Sequence, residues 1–211
     1  MTAGSALFIT FEGIEGSGKT TQIRRLREHF EALGKPVLAT REPGGTPLAD
    51  RVRELILANR TEKVSPRAEL FLYLASRAQH VHSVIKPALR QGITVICDRF
   101  TDATLAYQGY GRGLDLAFLE GLNRYATEGI VPDLTFLLDV PAREGLERVR
   151  KSRGTLDRLE SESLEFHEKV RRGYLELAAR EQERIVVLDG RMGEDEIFSR
   201  IVSVVEGKLG R

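Results

Sequence analysis

The sequence predicts an α/β protein built on a doubly wound parallel sheet. Five short apolar runs recur at residues 7–11, 37–40, 93–98, 134–139 and 185–188. They are continuously apolar rather than alternating, the pattern of strands buried on both faces. Helical stretches separate them, and strand–helix alternation implies right-handed crossovers between parallel neighbours. At 211 residues the chain can bury a sizeable core. No internal repeat, low-complexity tract or linker divides it, so one domain over residues 1–211 is expected.

Taken in order, the run 7–11 is β-prone and ends at a glycine loop, Gly13-Ile14-Glu15-Gly16-Ser17-Gly18-Lys19-Thr20. This matches the phosphate-loop pattern G-x-x-x-x-G-K-[ST] at every fixed position. Residues 20–33 carry Ile23, Leu26, Phe30 and Leu33 at helical spacing, so a helix opens directly from the loop. Strand, glycine turn and helix N-terminus together gather backbone N–H groups and positive partial charge on one concavity. Lys19 supplies a cation for outer phosphates, and the Thr20 hydroxyl suits Mg2+.

After the second strand, Arg41-Glu42-Pro43-Gly44-Gly45-Thr46-Pro47 reads as a stiff loop, followed by a helix over about 48–58 that carries Arg53. Ser65-Pro66 starts a helix as N-cap and first-turn proline. That helix, 67–89, is apolar nearly all round at Leu70–Leu74 and is expected to be largely buried, with Pro87 kinking or ending it. Tyr73 and Arg77 lie four apart and share a face. A ring beside a guanidinium can stack on and hydrogen-bond to a flat base; spacing alone favours a core tyrosine and a structural ion pair. The third strand ends at Cys97-Asp98-Arg99. An acid at a strand end beside a phosphate loop is placed to position a metal, and an arginine fork matches a second phosphate. The stretch 101–113 reads as a polar, glycine-rich loop. After the fourth strand a helix from 142 enters the cationic run Arg148-Val149-Arg150-Lys151-Ser152-Arg153. It is either a solvated helix face or a lid over a transferring phosphate. A charged helix over about 161–183 and a last helix over about 194–208 flank the fifth strand, and Asp189-Gly190-Arg191 can lie near an adenine.

Composition narrows the partners. The formal charge of +1 comes from charges of both signs, giving no basis for a nucleic-acid or membrane partner. No apolar run reaches membrane-spanning length, and the N-terminal run is too short for a signal peptide. A lone cysteine, Cys97, suits a reducing cytoplasm. The four histidines form no ligand pattern, so no zinc site is expected. The guanine-reading Asn-Lys-x-Asp stretch of GTP-dependent switches is absent.

Assembled, these motifs resemble the bacterial-type thymidylate kinase family of phosphate-loop nucleoside monophosphate kinases. The resemblance spans essentially the whole chain. It rests on the phosphate loop with its flanking Phe11-Glu12 and Thr21, on Thr40-Arg41-Glu42-Pro43-Gly44-Gly45, Arg77, Asp98-Arg99-Phe100, Ala106-Tyr107-Gln108-Gly109, Pro132-Asp133-Leu134 and Asp157-Arg158-Leu159-Glu160. It implies a three-layer fold with a five-stranded parallel sheet and a short basic lid at about 148–160. It implies ATP and dTMP as substrates, Mg2+ as cofactor and a homodimer. Tyr73 matches the aromatic residue that stacks on thymine, Arg77 the arginine bound to the base, and Thr104 and Gln108 the polar contacts to its edge. Tyr107 matches the ring beside the sugar, Glu15 an acid near the 3′-hydroxyl, and Arg53 and Arg99 the grip on the dTMP phosphate. Lys19, Asp98 and a lid arginine, Arg150 or Arg153 ahead of Arg148, are the expected catalytic groups, with Thr20 and Asp98 at the metal. Some family members place an arginine where this chain has Gly16, and many have serine where it has Ala103. A kinase for another nucleoside monophosphate is the alternative reading.

Overall fold

The computed structural model describes residues 6–59 and 61–210, apart from the side chain of Arg153. Strands β1 (Phe8–Glu12), β2 (Val37–Arg41), β3 (Thr94–Asp98), β4 (Leu134–Asp139) and β5 (Ile185–Asp189) form one sheet. Its order is β2-β3-β1-β4-β5 and every pairing is parallel. All five strands fall where the apolar runs place them. The three central ones are buried on both faces, but the edges are not: β2 is only partly buried, and Val187 of β5 is 45% exposed. An edge strand has one flank and part of a face left to water, which a continuous apolar run does not reveal.

Alternation along β1 and β4 divides the core between two faces. Ile9, Phe11, Phe136 and Leu138 pack with Leu26 and Phe30 of α1 (Lys19–Ala32) and Ile201 of α9 (Glu194–Leu209). On the other face, Phe8, Val95 and Cys97 meet Val81, Ile85 and Phe100. Leu137 joins a cluster with Tyr107, Phe166 and Tyr174, the last two on α8 (Leu164–Arg180). Helices on both faces of a parallel sheet give the three layers.

Local chemistry starts the helices as read. Thr46 caps α2 (Pro47–Leu57) by accepting from Ala49 N, and Ser65 caps α3 (Pro66–His80) by accepting from Ala68 N. Past α3 the chain widens into a π-helical turn, Val81–Ile85, and continues as α4 (Lys86–Arg90). Pro87 therefore neither ends nor breaks the run; it sits in the first turn after the widened one, where a missing N–H costs least. Phe71 is 60% exposed, contrary to the expected burial of 70–74.

A larger correction concerns 101–113. It is not a loop but a buried helical segment, α5 (Thr101–Thr104) running into a π-helical stretch, Leu105–Gly111. Its glycines serve close packing: a Cβ on Gly109 would lie 2.4 Å from Leu116, and one on Gly111 2.7 Å from Phe166. α6 (Leu116–Ala126) follows, capped by Asp115. α7 (Ala142–Arg153) ends at Gly154, φ 73°. Among the described residues no helix is long and apolar enough to cross a membrane.

Candidate active site

The chain departs from β1 to one side of the sheet and later from β4 to the other, so the carboxyl ends of the strands around β1 form the crevice where ligands bind in such sheets. A cavity of about 570 Å³ lies there. One end is made by Gly16, Ser17, Gly18, Lys19 and Thr20, the other by Tyr73, Arg77, Thr104 and Gln108, with Arg53, Asp98 and Arg99 also in its walls. A second cavity, about 430 Å³, shares residues 16–18 and is lined by Gly190 and Met192. Of residues 189–191, expected near an adenine, Gly190 lines this second cavity.

The loop is fixed by close backbone contact. A Cβ on Gly13 would fall 2.4 Å from Leu138 O, and one on Gly16 would fall 2.2 Å from Gly145 O. With Gly16 at φ 72°, no side chain fits there, which accounts for the missing loop arginine. Gly13 and Ile14 are not part of the cavity wall. Their carbonyls accept from Lys19 Nζ at 2.9 and 2.8 Å. Burial, then the nearby Arg99 charge, pushes the Lys19 ammonium down to about 8. Gly18 precedes α1 with no side-chain cap, leaving the first N–H groups of the helix open to an anion.

Asp98 ends β3, and its Oδ1 is buried without a hydrogen-bond partner. The next residue, Arg99, takes φ 70°, rare for a side chain with a Cβ. Its Nη2 donates to Glu15 Oε1 at 2.9 Å and its Nη1 to Tyr174 Oη at 3.0 Å, and its guanidinium lies 5.0 Å from the Tyr107 ring centre. Tyr107 Oη also donates to Glu15 Oε1, at 2.6 Å. Burial would raise the Glu15 carboxyl, but Arg99 and Lys19 outweigh it and hold it below the usual range.

Behind this line stands Glu12. It accepts from Phe100 N at Oε1 and from Tyr174 Oη at Oε2, both at 2.7 Å. Burial, reinforced by Asp102, pushes its carboxyl up to about 8. Glu12, Tyr174, Arg99, Glu15 and Tyr107 thus form one connected polar chain beneath the cavity.

At the other end, Arg77 is 1% exposed. Its Nε donates to Glu42 Oε2, its Nη1 to Thr104 Oγ1 and Asn123 Oδ1, and its Nη2 to Phe100 O. The ion pair expected from spacing alone is therefore present, while Arg77 and Tyr73 both line the cavity. Arg53 lines it too, its Nη1 donating to Pro43 O at 3.1 Å. Of the lid cations, Arg148 reaches the loop, its Nη1 donating to Gly16 O at 3.4 Å and to Gly190 O at 3.0 Å. Arg150 is exposed and not in the wall, and the Arg153 side chain lies outside the described residues. Ala103 lines the cavity in place of the frequent serine.

Sequence reasoning gave no role to Glu12 or Glu42, which it quoted only within motifs, and did not single out Glu69 or Tyr174. Glu69 had a visible signal, four residues before Tyr73 on the same helical face; Tyr174 had none. Among the described residues no group of three or more His, Cys, Asp or Glu side chains is arranged for a metal.

Comparison with known proteins agrees with this geometry. Residues 11–201 match the family model described as thymidylate kinase. A thymidylate kinase of Desulfovibrio desulfuricans is 52% identical over 211 residues, covering 97% of each chain. That of Citrifermentans bemidjiense is 57% identical over 188 residues, covering 87% of this chain and 84% of its own. The crystal structure of thymidylate kinase from Ehrlichia chaffeensis superposes with a TM-score of 0.77 at 35% identity, covering 95% of this chain and 99% of that one. A phosphate loop, a base-sized end and arginines in one crevice, on a chain matched over nearly its full length, lead to one conclusion: this chain belongs to the thymidylate kinase family.

Proposed function

We propose that the chain transfers the γ-phosphoryl group of ATP to dTMP, giving ADP and dTDP. The observation that carries this reading is the single cavity with a phosphate loop at one end and the Tyr73–Arg77 face at the other. Thymine stacks on Tyr73 and meets Arg77, Thr104 and Gln108 at its edge. Tyr107 packs beside the deoxyribose, Glu15 lies near the 3′-hydroxyl, and Arg99 with Arg53 holds the 5′-phosphate. A dTMP phosphate oxygen then attacks the γ-phosphorus in line. That P–O bond forms as the bond to the β,γ-bridging oxygen breaks, and its electron pair leaves with ADP. Such a transition state needs positioning and charge neutralisation more than covalent help. Lys19, the N–H groups of residues 16–20 and a lid arginine supply them, and Arg148, Arg150 and Arg153 are the candidates for the last.

Mg2+ fits the residues present. Asp98 Oδ1 is a buried oxygen with no hydrogen-bond partner, and the Thr20 hydroxyl is exposed at the same cavity. One carboxylate and one hydroxyl, completed by water and phosphate oxygens, is how this ion is commonly held. Bound there, it would neutralise β- and γ-phosphate charge. A homodimer in the cytoplasm completes the proposal; exposed Leu48 and Leu55 on α2, Phe71 on α3 and Phe118 on α6 support pairing through neighbouring helices.

The test is ADP release with ATP and dTMP, dUMP, dCMP, AMP or GMP as acceptor. The proposal expects dTMP to give the highest kcat/KM; equal use of purine monophosphates, or no ATP consumption, would overturn it.

A further inference from the structure

Glu69, Tyr73 and Arg77 follow one another at four-residue steps along α3, so the helix face that lines the base end continues to Glu69. Glu69 is 0% exposed, on a helix where a buried carboxylate needs partners. It has three. Gln108 Nε2 donates to Oε1 at 2.9 Å. Arg112 donates from Nε to Oε1 at 3.1 Å and from Nη2 to Oε2 at 3.0 Å. Arg158 Nη2 donates to Oε2 at 2.7 Å. Burial would raise the Glu69 carboxyl, yet the bonds from Arg112 and Gln108 hold it below its usual range. It is therefore a carboxylate, which only accepts.

An acceptor-only neighbour decides which end of the Gln108 amide turns away from the base. The NH2 must face Glu69, and the carbonyl oxygen is left for the cavity that Gln108 lines. We infer that Glu69 is a specificity-positioning residue: by fixing the amide of Gln108 it makes the base end present a carbonyl acceptor beside the second Nη2–H of Arg77, the one its bonds to Glu42, Thr104, Asn123 and Phe100 leave over. That pair is complementary to an imide pyrimidine, whose ring N3–H donates and whose C4 oxygen accepts. It is mismatched to an amino-pyrimidine, whose N3 is a lone pair and whose C4 substituent donates. Glu69 does not touch the substrate; it acts through Gln108. The inference rests on the proposed dTMP kinase reading and names how that site rejects cytosine.

The experiment measures kcat/KM for dTMP, dUMP and dCMP in the parent, Glu69→Gln, Arg158→Gln, Gln108→Leu and the double variant Glu69→Gln/Gln108→Leu. A parent that does not prefer dTMP to dCMP would contradict the functional reading itself. Given that preference, Glu69→Gln, whose amide lets Gln108 turn either way, should lower the dTMP:dCMP ratio by about tenfold or more. The dTMP:dUMP ratio should stay within about twofold, because both bases are imides, and a merely loosened pocket would not spare it. Arg158→Gln, which leaves the Gln108 bond in place, should keep the dTMP:dCMP ratio. In the Gln108→Leu background the Glu69 substitution should change the ratio no further. An unaltered dTMP:dCMP ratio in Glu69→Gln, an equal fall in Arg158→Gln, or a full effect without Gln108 would each overturn the inference. Should Glu69→Gln fail to accumulate as folded protein, Glu69→Asp keeps the charge but withdraws from Gln108, and the same ratios decide.

Discussion

Replacing Arg99 with alanine tests the acceptor end most sharply. The parent guanidinium makes one charge-assisted bond to Glu15 Oε1 and donates to Tyr174 Oη, and its side chain is 17% exposed, so its remaining N–H groups have one open edge for a phosphate. Alanine removes that bidentate partner and leaves Glu15 with Tyr107 but no cation bonded to it. Truncating one side of a buried charge pair costs about 3–5 kcal/mol. At about 1.4 kcal/mol per decade this predicts a fall of about 10²- to 4 × 10³-fold in kcat/KM for dTMP. Lysine keeps the charge but not the fork, so Arg99→Lys should recover only part of the loss. Because Arg99 already takes φ 70°, Arg99→Gly should melt at least as high as Arg99→Ala, which separates backbone strain from phosphate binding. Coupled ADP-release kinetics with dTMP varied at saturating ATP provides the readout. A kcat/KM within threefold of the parent in Arg99→Ala would refute the assignment.

Four further outcomes follow from the same geometry. The free-enzyme Lys19 ammonium, lowered to about 8, should make kcat/KM for ATP fall as pH rises through that region, and a profile flat to pH 9.5 would contradict it. Glu12 is raised to about 8 in the fold and ionises near 4.5 when unfolded, so between these values the unfolded chain binds fewer protons and stability falls as pH rises. Denaturant midpoints should show Glu12→Gln gaining on the parent from pH 5 to 8, and a gain that shrinks would contradict the raised carboxyl. Gly145→Ala places a Cβ 2.4 Å from Glu15 O and should lower stability by about 1–3 kcal/mol and raise KM for ATP, read by thermal melting and kinetics. Chelation should abolish turnover until Mg2+ is restored, and Asp98→Asn should require several-fold more Mg2+ for half-maximal rate.

Much of this site was legible because its parts are local. Residues 13–20 are contiguous, and Asp98 and Arg99 stand where a strand must end beside them. Strand positions were equally legible, because five apolar runs leave few alternatives. What could not be read was mutual. Nothing in Arg77 alone announces that Glu42, Thr104, Asn123 and Phe100 surround it; spacing favoured the ion pair, and only the family resemblance pointed to the base. Residues 101–113 carried loop chemistry in their glycines, yet Gly109 and Gly111 serve packing against Leu116 and Phe166, contacts that exist only in the folded chain. Phe71 shows the converse, since an apolar helical position counts as core until a surface is found there. Glu12 and Tyr174 are 162 residues apart and meet only because α8 covers the β1 end.

The most direct measurement is a crystal structure with dTMP bound. This account predicts the thymine ring against Tyr73, its edge on Arg77 and Gln108, and its phosphate on Arg99 and Arg53. A thymine seated away from Tyr73, or a dTMP phosphate resting in the residue 13–20 loop, would contradict it.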